Sequence, residues 1–210
     1  MDNKIKVIFL DIDGVLNDDI TIDQAWAGVS KGLWELETVG DGRWFPPGWT
    51  MIQASMVQHL QTVIDVTGAK IVLSSSWRLS HDLNEMTAFL HKRGLRNFQI
   101  IGATPIGIDD DPPKTEWDWE NDNPRLHAQE ATWRGDECQK WLDDQTYWHV
   151  ESYVIVDDNW VHDPEIPSEI NRRFVQTKAN HKRDKINRGG IGKAEAERMI
   201  KILKTPLEIK

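Results

Sequence analysis

The sequence predicts a doubly wound α/β fold on a mostly parallel sheet, with small cap insertions. Two observations carry that expectation. Three apolar runs rich in β-branched residues, at 5–10, Lys70–Leu73 and 153–156, each stop abruptly at Asp or Ser, as buried parallel strands do where open α/β sheets place their ligands. Between the runs, apolar residues recur at helical spacing, and regular alternation of the two patterns is the signature of βαβ units.

The elements follow in order. The first strand covers 5–10. A helix over 55–66 carries Met56, Leu60, Val63 and Ile64 at helical spacing and closes at Gly68, which suits a left-handed cap. The second strand is Lys70–Leu73. A helix over 80–93 puts Leu83, Met86, Phe89 and Leu90 on one face and stops at Gly94. The third strand is expected at 98–101. A helix beginning at Arg134 precedes the fourth strand at 153–156, a short strand at 173–176 and a closing helix at Lys193–Leu203. No internal repeat is present. Residues 18–50 and 102–133 fit no core element and hold seven of the 11 Trp residues: Trp26, Trp34, Trp44, Trp49, Trp117, Trp119 and Trp133. Most large aromatics in such segments pack them onto the body, although an indole can also stack on a nucleobase.

The polar tips of the three runs form a chemical inventory. Asp11 and Asp13, one residue apart, share a side of the extended backbone, and two converging negative charges invite a divalent cation. With Mg²⁺ bound, Asp11 is placed to attack phosphorus and Asp13 to handle the leaving-group proton. Taken alone, Asp-x-Asp-Gly also reads as an acidic turn. Ser74 is the first polar residue after the second run, with Ser75 next, and either hydroxyl can hold a phosphate oxygen. Asp157 and Asp158 supply a second acidic pair. Three parallel strands ending side by side would assemble a phosphoryl-transfer site.

With these residues in this order, the chain resembles the haloacid dehalogenase (HAD) superfamily of Mg²⁺-dependent phosphohydrolases, whose fold is a Rossmann-like sheet. Asp11 and Asp13 match the first motif, Ser74 the second, and Asp157-Asp158 the fourth. The resemblance implies that Asp11 forms an aspartyl-phosphate, Asp13 acts as general acid and base, and Ser74 binds the transferred group. It also implies that Asp157 joins Asp11 and the Asp13 backbone carbonyl around the metal, supported by Asp158. The two unassigned stretches, 18–50 and 102–133, fall where that superfamily inserts caps. Ser75-Ser76-Trp77-Arg78 and the late Gly-Ile-Gly-Lys-Ala-Glu-Ala-Glu segment are similar to the HAD branch found in RNA-repair proteins.

The basic third motif has no fixed local signature. Arg134 is preferred, because a residue at the mouth of a helix preceding the fourth-motif strand faces the strand ends. Lys140 and Arg125 are the fallbacks. Arg78 is a candidate for binding a second phosphate with its planar donor fork, or for capping an acidic loop. His81, His127, His149, His162 and His181 show no ligating arrangement.

Composition narrows the class. A chain of 210 residues with 39% hydrophobic content buries one good core, so a single domain over 1–210 is expected. One Cys, no zinc-type Cys/His spacing, no room for a signal peptide and no membrane-length apolar run point to a cytoplasmic protein. The net charge of −9 argues against indiscriminate coating of nucleic acid. Charge is nonetheless uneven: residues 171–204 hold eleven basic residues against three acids, while 109–122 hold seven acids against one Lys. The basic stretch either steers a polyanion or is a solvated face. The expected activity is a Mg²⁺-dependent phosphatase acting on a nucleotide or a nucleic-acid terminal phosphate. A small-metabolite phosphatase and a catalytically silent nucleic-acid or protein binding module are the alternatives.

Overall fold

Alternation along the first strand sets the architecture. In β1 (Lys4–Leu10), Ile8 and Leu10 join one apolar cluster while Val7 and Phe9 join another, so both faces of the sheet are covered and its strands read as continuous apolar runs. The computed structural model describes residues 3–38, 44–105, 134–159, 168–177 and 189–207. After β1 come α1 (Asp19–Ser30), the short strands β2 (Glu37–Thr38) and β3 (Trp44–Phe45), α2 (Ala54–Thr67), β4 (Lys70–Leu73), α3 (Leu83–Lys92) and β5 (Ile100–Ala103). Then follow α4 (Arg134–Asp143), β6 (His149–Asp157), α5 (Glu169–Arg172), β7 (Phe174–Gln176) and α6 (Lys193–Leu203).

Five strands pair in parallel in the order β5-β4-β1-β6-β7. The chain moves outward from β1 to β5 and then returns to β6 and β7, which places the reversal beside β1. A doubly wound sheet opens its ligand crevice at that reversal, at the carboxyl ends of the strands. One face is packed by α2, α3 and α6 through residues such as Leu60, Leu90 and Met199; the other is packed by α4 and α5 through Cys138, Trp141 and Ile170. Phe9 meets Trp141 and Tyr153 edge-on, with ring centroids 5.5 and 5.9 Å apart. Cys138 is fully buried in that layer, a small hydrophobe rather than a reactive thiol.

Several boundaries move from their expected places for identifiable reasons. α2 ends at Gly68 with φ 68°, as its spacing predicts. α3 starts at Leu83 instead of residue 80, because Asp82 and Glu85 form a capping box and Ser76–Leu79 close a separate 3-10 turn. β5 lies two residues later than expected. There Gly102 packs beneath Trp141, whose Nε1 would be 3.2 Å from a Cβ at that position. β6 begins at His149, because its early residues pair with Lys4 and Ile5 across a register shift. Arg173 is not in β7; it caps α5.

The insert at 18–50 is more regular than the sequence suggested, with α1, a β2/β3 hairpin and a 3-10 turn over Gly48–Met51. Trp34 sits against Gly28, where any Cβ would overlap the indole, and meets Trp49 edge-on at 5.2 Å. Trp49 in turn lies 5.2 Å from the Arg93 guanidinium. Residues 106–133, with the acidic run, Arg125, His127 and three of the Trp residues, lie outside the described residues, as do His162 and the basic segment 178–188. Among the described residues, no helix is long and apolar enough to cross a membrane.

Candidate active site

Register brings the predicted residues together. Leu10 of β1 is level with Leu73 of β4 and Val156 of β6, so the next residue on each strand, Asp11, Ser74 and Asp157, arrives at one height. The ladder continues past the strands through Asp11 N–H to Val156 O at 3.1 Å and Ser74 N–H to Leu10 O at 3.0 Å. The three follow the alternation of Phe9, Val72 and Ile155, whose face is covered by α4. Arg134, the first residue of α4, thereby reaches the strand ends, with Nε 3.6 Å from Asp157 Oδ2.

Asp11, Asp157 and Asp158 each offer a carboxylate oxygen within 4.8 Å of the others. An all-oxygen, acidic donor set suits a hard divalent cation. Gly14, at φ 68°, makes room for the Asp158 side chain: a Cβ there would fall 2.5 Å from Asp158 Cγ. The Asn159 N–H donates to Asp157 Oδ1 at 2.9 Å, its side chain donates to Asp158 Oδ1 at 3.1 Å, and Gln176 Nε2 donates to Asp158 O at 3.1 Å. Burial holds the Asp11 carboxyl above its ordinary range, against the opposing pull of Arg134, the Ile12 N–H and the Ser75 hydroxyl. Asp157 is also raised, first by burial and then by the charge of Asp11.

Asp13 stands apart from that cluster. Its carboxylate is exposed and is held by two donors that the sequence did not single out for the purpose: Asn17 Nδ2 at 2.9 Å and the Trp77 indole N–H at 3.0 Å. The two serines divide. Ser75 donates to Asp11 and accepts from the Trp77 N–H at 3.3 Å, whereas the Ser74 hydroxyl is fully buried and has no hydrogen-bond partner among the described residues.

The guanidinium groups meet at Glu137, a residue that sequence reasoning missed. Glu137 Oε2 accepts from Arg78 Nη2 at 2.9 Å and from Arg134 Nη1 at 3.3 Å. Arg134 Nη1 also donates to Ser74 O. Arg78 turns into the protein, with a side chain 6% exposed, and donates to Ser74 O at 2.9 Å, Ser75 O at 2.7 Å and Pro105 O at 3.3 Å. The available signal for Glu137 was an acid beside Cys138 and Trp141 on the inward stripe of α4. Lys140 points away and pairs with Asp144 at 3.5 Å.

A family model described as the HAD domain in Swiss Army Knife RNA repair proteins matches residues 7–181. No curated protein and no solved structure matches the chain.

Two outcomes follow from this geometry. Folding raises the Asp11 and Asp157 carboxyls, so in the absence of a cation the pair costs stability at pH 8, and the cost fades as pH falls through the raised values towards the ordinary carboxylate range. Asp157→Asn therefore raises the melting temperature of the metal-free protein at pH 8 by the equivalent of about 1 kcal/mol, less at pH 5, and abolishes the melting-temperature increase that Mg²⁺ or Mn²⁺ produces in the parent. Differential scanning calorimetry in chelator and in metal checks both signs. Glu137→Ala leaves the buried Arg78 and the half-buried Arg134 without the carboxylate they share and lowers stability by about 3 kcal/mol in urea titration.

Proposed function

The chain belongs to the HAD domains found in Swiss Army Knife RNA repair proteins, and from that premise we propose that it is a Mg²⁺-dependent phosphatase working through an aspartyl-phosphate on Asp11. The observation that carries the reading is the level arrival of Asp11, Ser74 and Asp157 at three adjacent strand ends. That placement, with the acid cluster, supports phosphoryl transfer over a silent binding module, because crowding desolvated carboxylates is costly and has no use in a site without charge to neutralise.

In the proposed reaction, an Asp11 carboxylate oxygen forms a bond to phosphorus while the ester P–O bond breaks. Asp13 gives its proton to the departing alcohol oxygen. Asp13 then takes a proton from water as that water opens the acyl phosphate, releasing inorganic phosphate and restoring Asp11. Asp11, Asp157 and Asp158, with the Asp13 backbone carbonyl, would hold the Mg²⁺ ion, which supplies positive charge against the phosphate. Arg134, whose Nε lies 3.6 Å from Asp157 Oδ2, adds positive charge to the same end. The Ser74 hydroxyl, without a partner among the described residues, supports its assignment to a phosphate oxygen, since a buried hydroxyl left unpaired is costly until a ligand satisfies it; Ser75 orients Asp11. Arg78 acts by fixing the serine loop, because its contacts are with carbonyl oxygens and Glu137. The insert at 18–50 serves as a cap. The substrate is a nucleotide or a nucleic-acid terminal phosphate, a reading supported by the RNA-repair description of the family.

Asp11→Asn reduces kcat on an aryl phosphate by at least about a thousandfold, and chelation does the same to the parent; comparable turnover in the variant removes the covalent mechanism. Trp77→Phe keeps a ring but removes the N–H that orients Asp13. It lowers kcat about tenfold with KM changed less than about threefold, the pattern of a lost orienting hydrogen bond at a ring whose contacts are kept.

A further inference from the structure

A cleft of about 470 Å³ opens beside Asp13. Trp26 and Phe45, from the 18–50 insert, line it together with Trp77 and His81, from the segment after β4. The rings come in neighbouring pairs: Trp26 and Phe45 with centroids 6.1 Å apart, Trp77 and His81 with centroids 5.6 Å apart. Unlike Trp34 and Trp49, which pack the insert onto the body, Trp26 leaves 39% of its surface in solvent, and Leu79 at the same cleft leaves 59%. Exposed apolar surface gathered around a concavity marks a binding site rather than a packing solution.

The lining also says what kind of group fits. Among the described residues that form it there is no Lys or Arg, so none of these residues neutralises a second phosphate. Ser76, Ser80 and His81 offer hydrogen-bonding edges between aromatic walls, which matches a flat ring with polar rim atoms better than a plain hydrocarbon or a bare sugar. Trp77 ties the cleft to the chemistry, because its N–H donates to Asp13 Oδ2 at 3.0 Å.

We propose that this cleft is the leaving-group subsite and that it takes a nucleobase, stacked against the aromatic side chains of Trp26, Phe45 and Trp77. Its catalytic consequence rests on the reading of Asp13 as the group that protonates the departing oxygen: whatever occupies the cleft is then the organic part of that alcohol, a nucleoside. The nucleoside is either a free nucleotide's or the terminal one of a strand, and the base contact itself does not depend on turnover.

The test begins without metal or phosphate, by equilibrium dialysis of labelled adenosine and of ribose against the full chain. Adenosine binds saturably, ribose does not, and Trp26→Ala weakens adenosine binding about tenfold, the size of one base–aromatic stack. Equal retention of adenosine and ribose, or adenosine binding indifferent to Trp26→Ala, overturns the subsite. With Mg²⁺ present, kcat/KM for adenosine monophosphates exceeds that for ribose 5-phosphate by about tenfold or more, and the ratio contracts in Trp26→Ala. Equal efficiency on both esters overturns the subsite while leaving the phosphatase intact. Adenosine binding without hydrolysis of any ester supports the subsite and overturns the phosphatase reading instead. A 3′-phosphorylated oligonucleotide run beside the mononucleotide separates the two sources: preference for the oligonucleotide assigns the base to a strand end, preference for the mononucleotide to a free nucleotide, and either supports the stacking site.

Discussion

Charge crowding at the carboxyl edge of the sheet is the constraint around which the rest is arranged. The parallel ladder delivers Asp11 and Asp157 to the same height, and Gly14 admits Asp158 beside them, so the three carboxylates each bring an oxygen within 4.8 Å of the others. Burial above all, with like charge from Asp13 on Asp11 and from Asp11 and Asp158 on Asp157, pushes both towards their protonated forms. The surroundings oppose this with N–H groups from Ile12 and Asn159, the Ser75 hydroxyl and Arg134. Arg134, however, is shared with Glu137, which also holds Arg78. Counting that network as a unit, four carboxylates face two guanidiniums, and the deficit of two positive charges is that of one divalent cation. The electrostatics and the donor chemistry therefore ask for the same ligand.

Much of this edge was legible in the sequence because strand ends leave a sharp mark: an apolar run cannot continue into Asp or Ser unless burial stops or chemistry begins. Asp11, Ser74 and Asp157 stand out for that reason, and their mutual level follows once the strands are parallel and in register. Arg134 was accessible by a weaker argument, its place at the mouth of the helix before β6. Glu137 was not, since its partners Arg78 and Arg134 come from separate segments and a lone acid on a helix carries no long-range label. The same holds for the choice between the serines. Sequence order favoured Ser74 as the first polar residue, yet only packing shows that Ser75 bonds Asp11 while the Ser74 hydroxyl has no partner among the described residues.

The insert at 18–50 shows where periodicity fails. α1 buries Thr21, Ala25 and Gly28, residues too small to register as an apolar stripe, because Trp34 fills the space above Gly28. The helix starts where Asp18 accepts from the Thr21 N–H at 2.7 Å, a cap that looks in sequence like one more acid in an acidic turn. Shape complementarity to a large neighbour, not hydrophobicity of the helix itself, decides this element. β5 shifted for a related reason, with Gly102 lying beneath Trp141. Arg173 makes the complementary point for charge: it belongs to the basic stretch by composition, but it is 5% exposed and bonded to Ser152 Oγ at 3.0 Å and Thr205 O at 3.1 Å, so part of that positive charge is structural.

Both halves of the site are joined by the one turn that follows β4. Ser76–Leu79 closes as a 3-10 helix capped by the Ser75 hydroxyl, and its successive residues reach opposite ways: Trp77 to the Asp13 carboxylate, Arg78 to Glu137 on α4. Asp11, bonded to the same Ser75, lies between them. Displacing this turn would move the Asp11 hydrogen bond, the orienting donor of Asp13 and the Arg134–Glu137 network together, because all three are anchored within five consecutive residues. A phosphatase needs those parts held in fixed relation across a bond-making and a bond-breaking step. A short, internally capped turn on a buried strand achieves that with few freely rotating links, which gives Ser75-Ser76-Trp77-Arg78 a physical reason to occur as a contiguous unit.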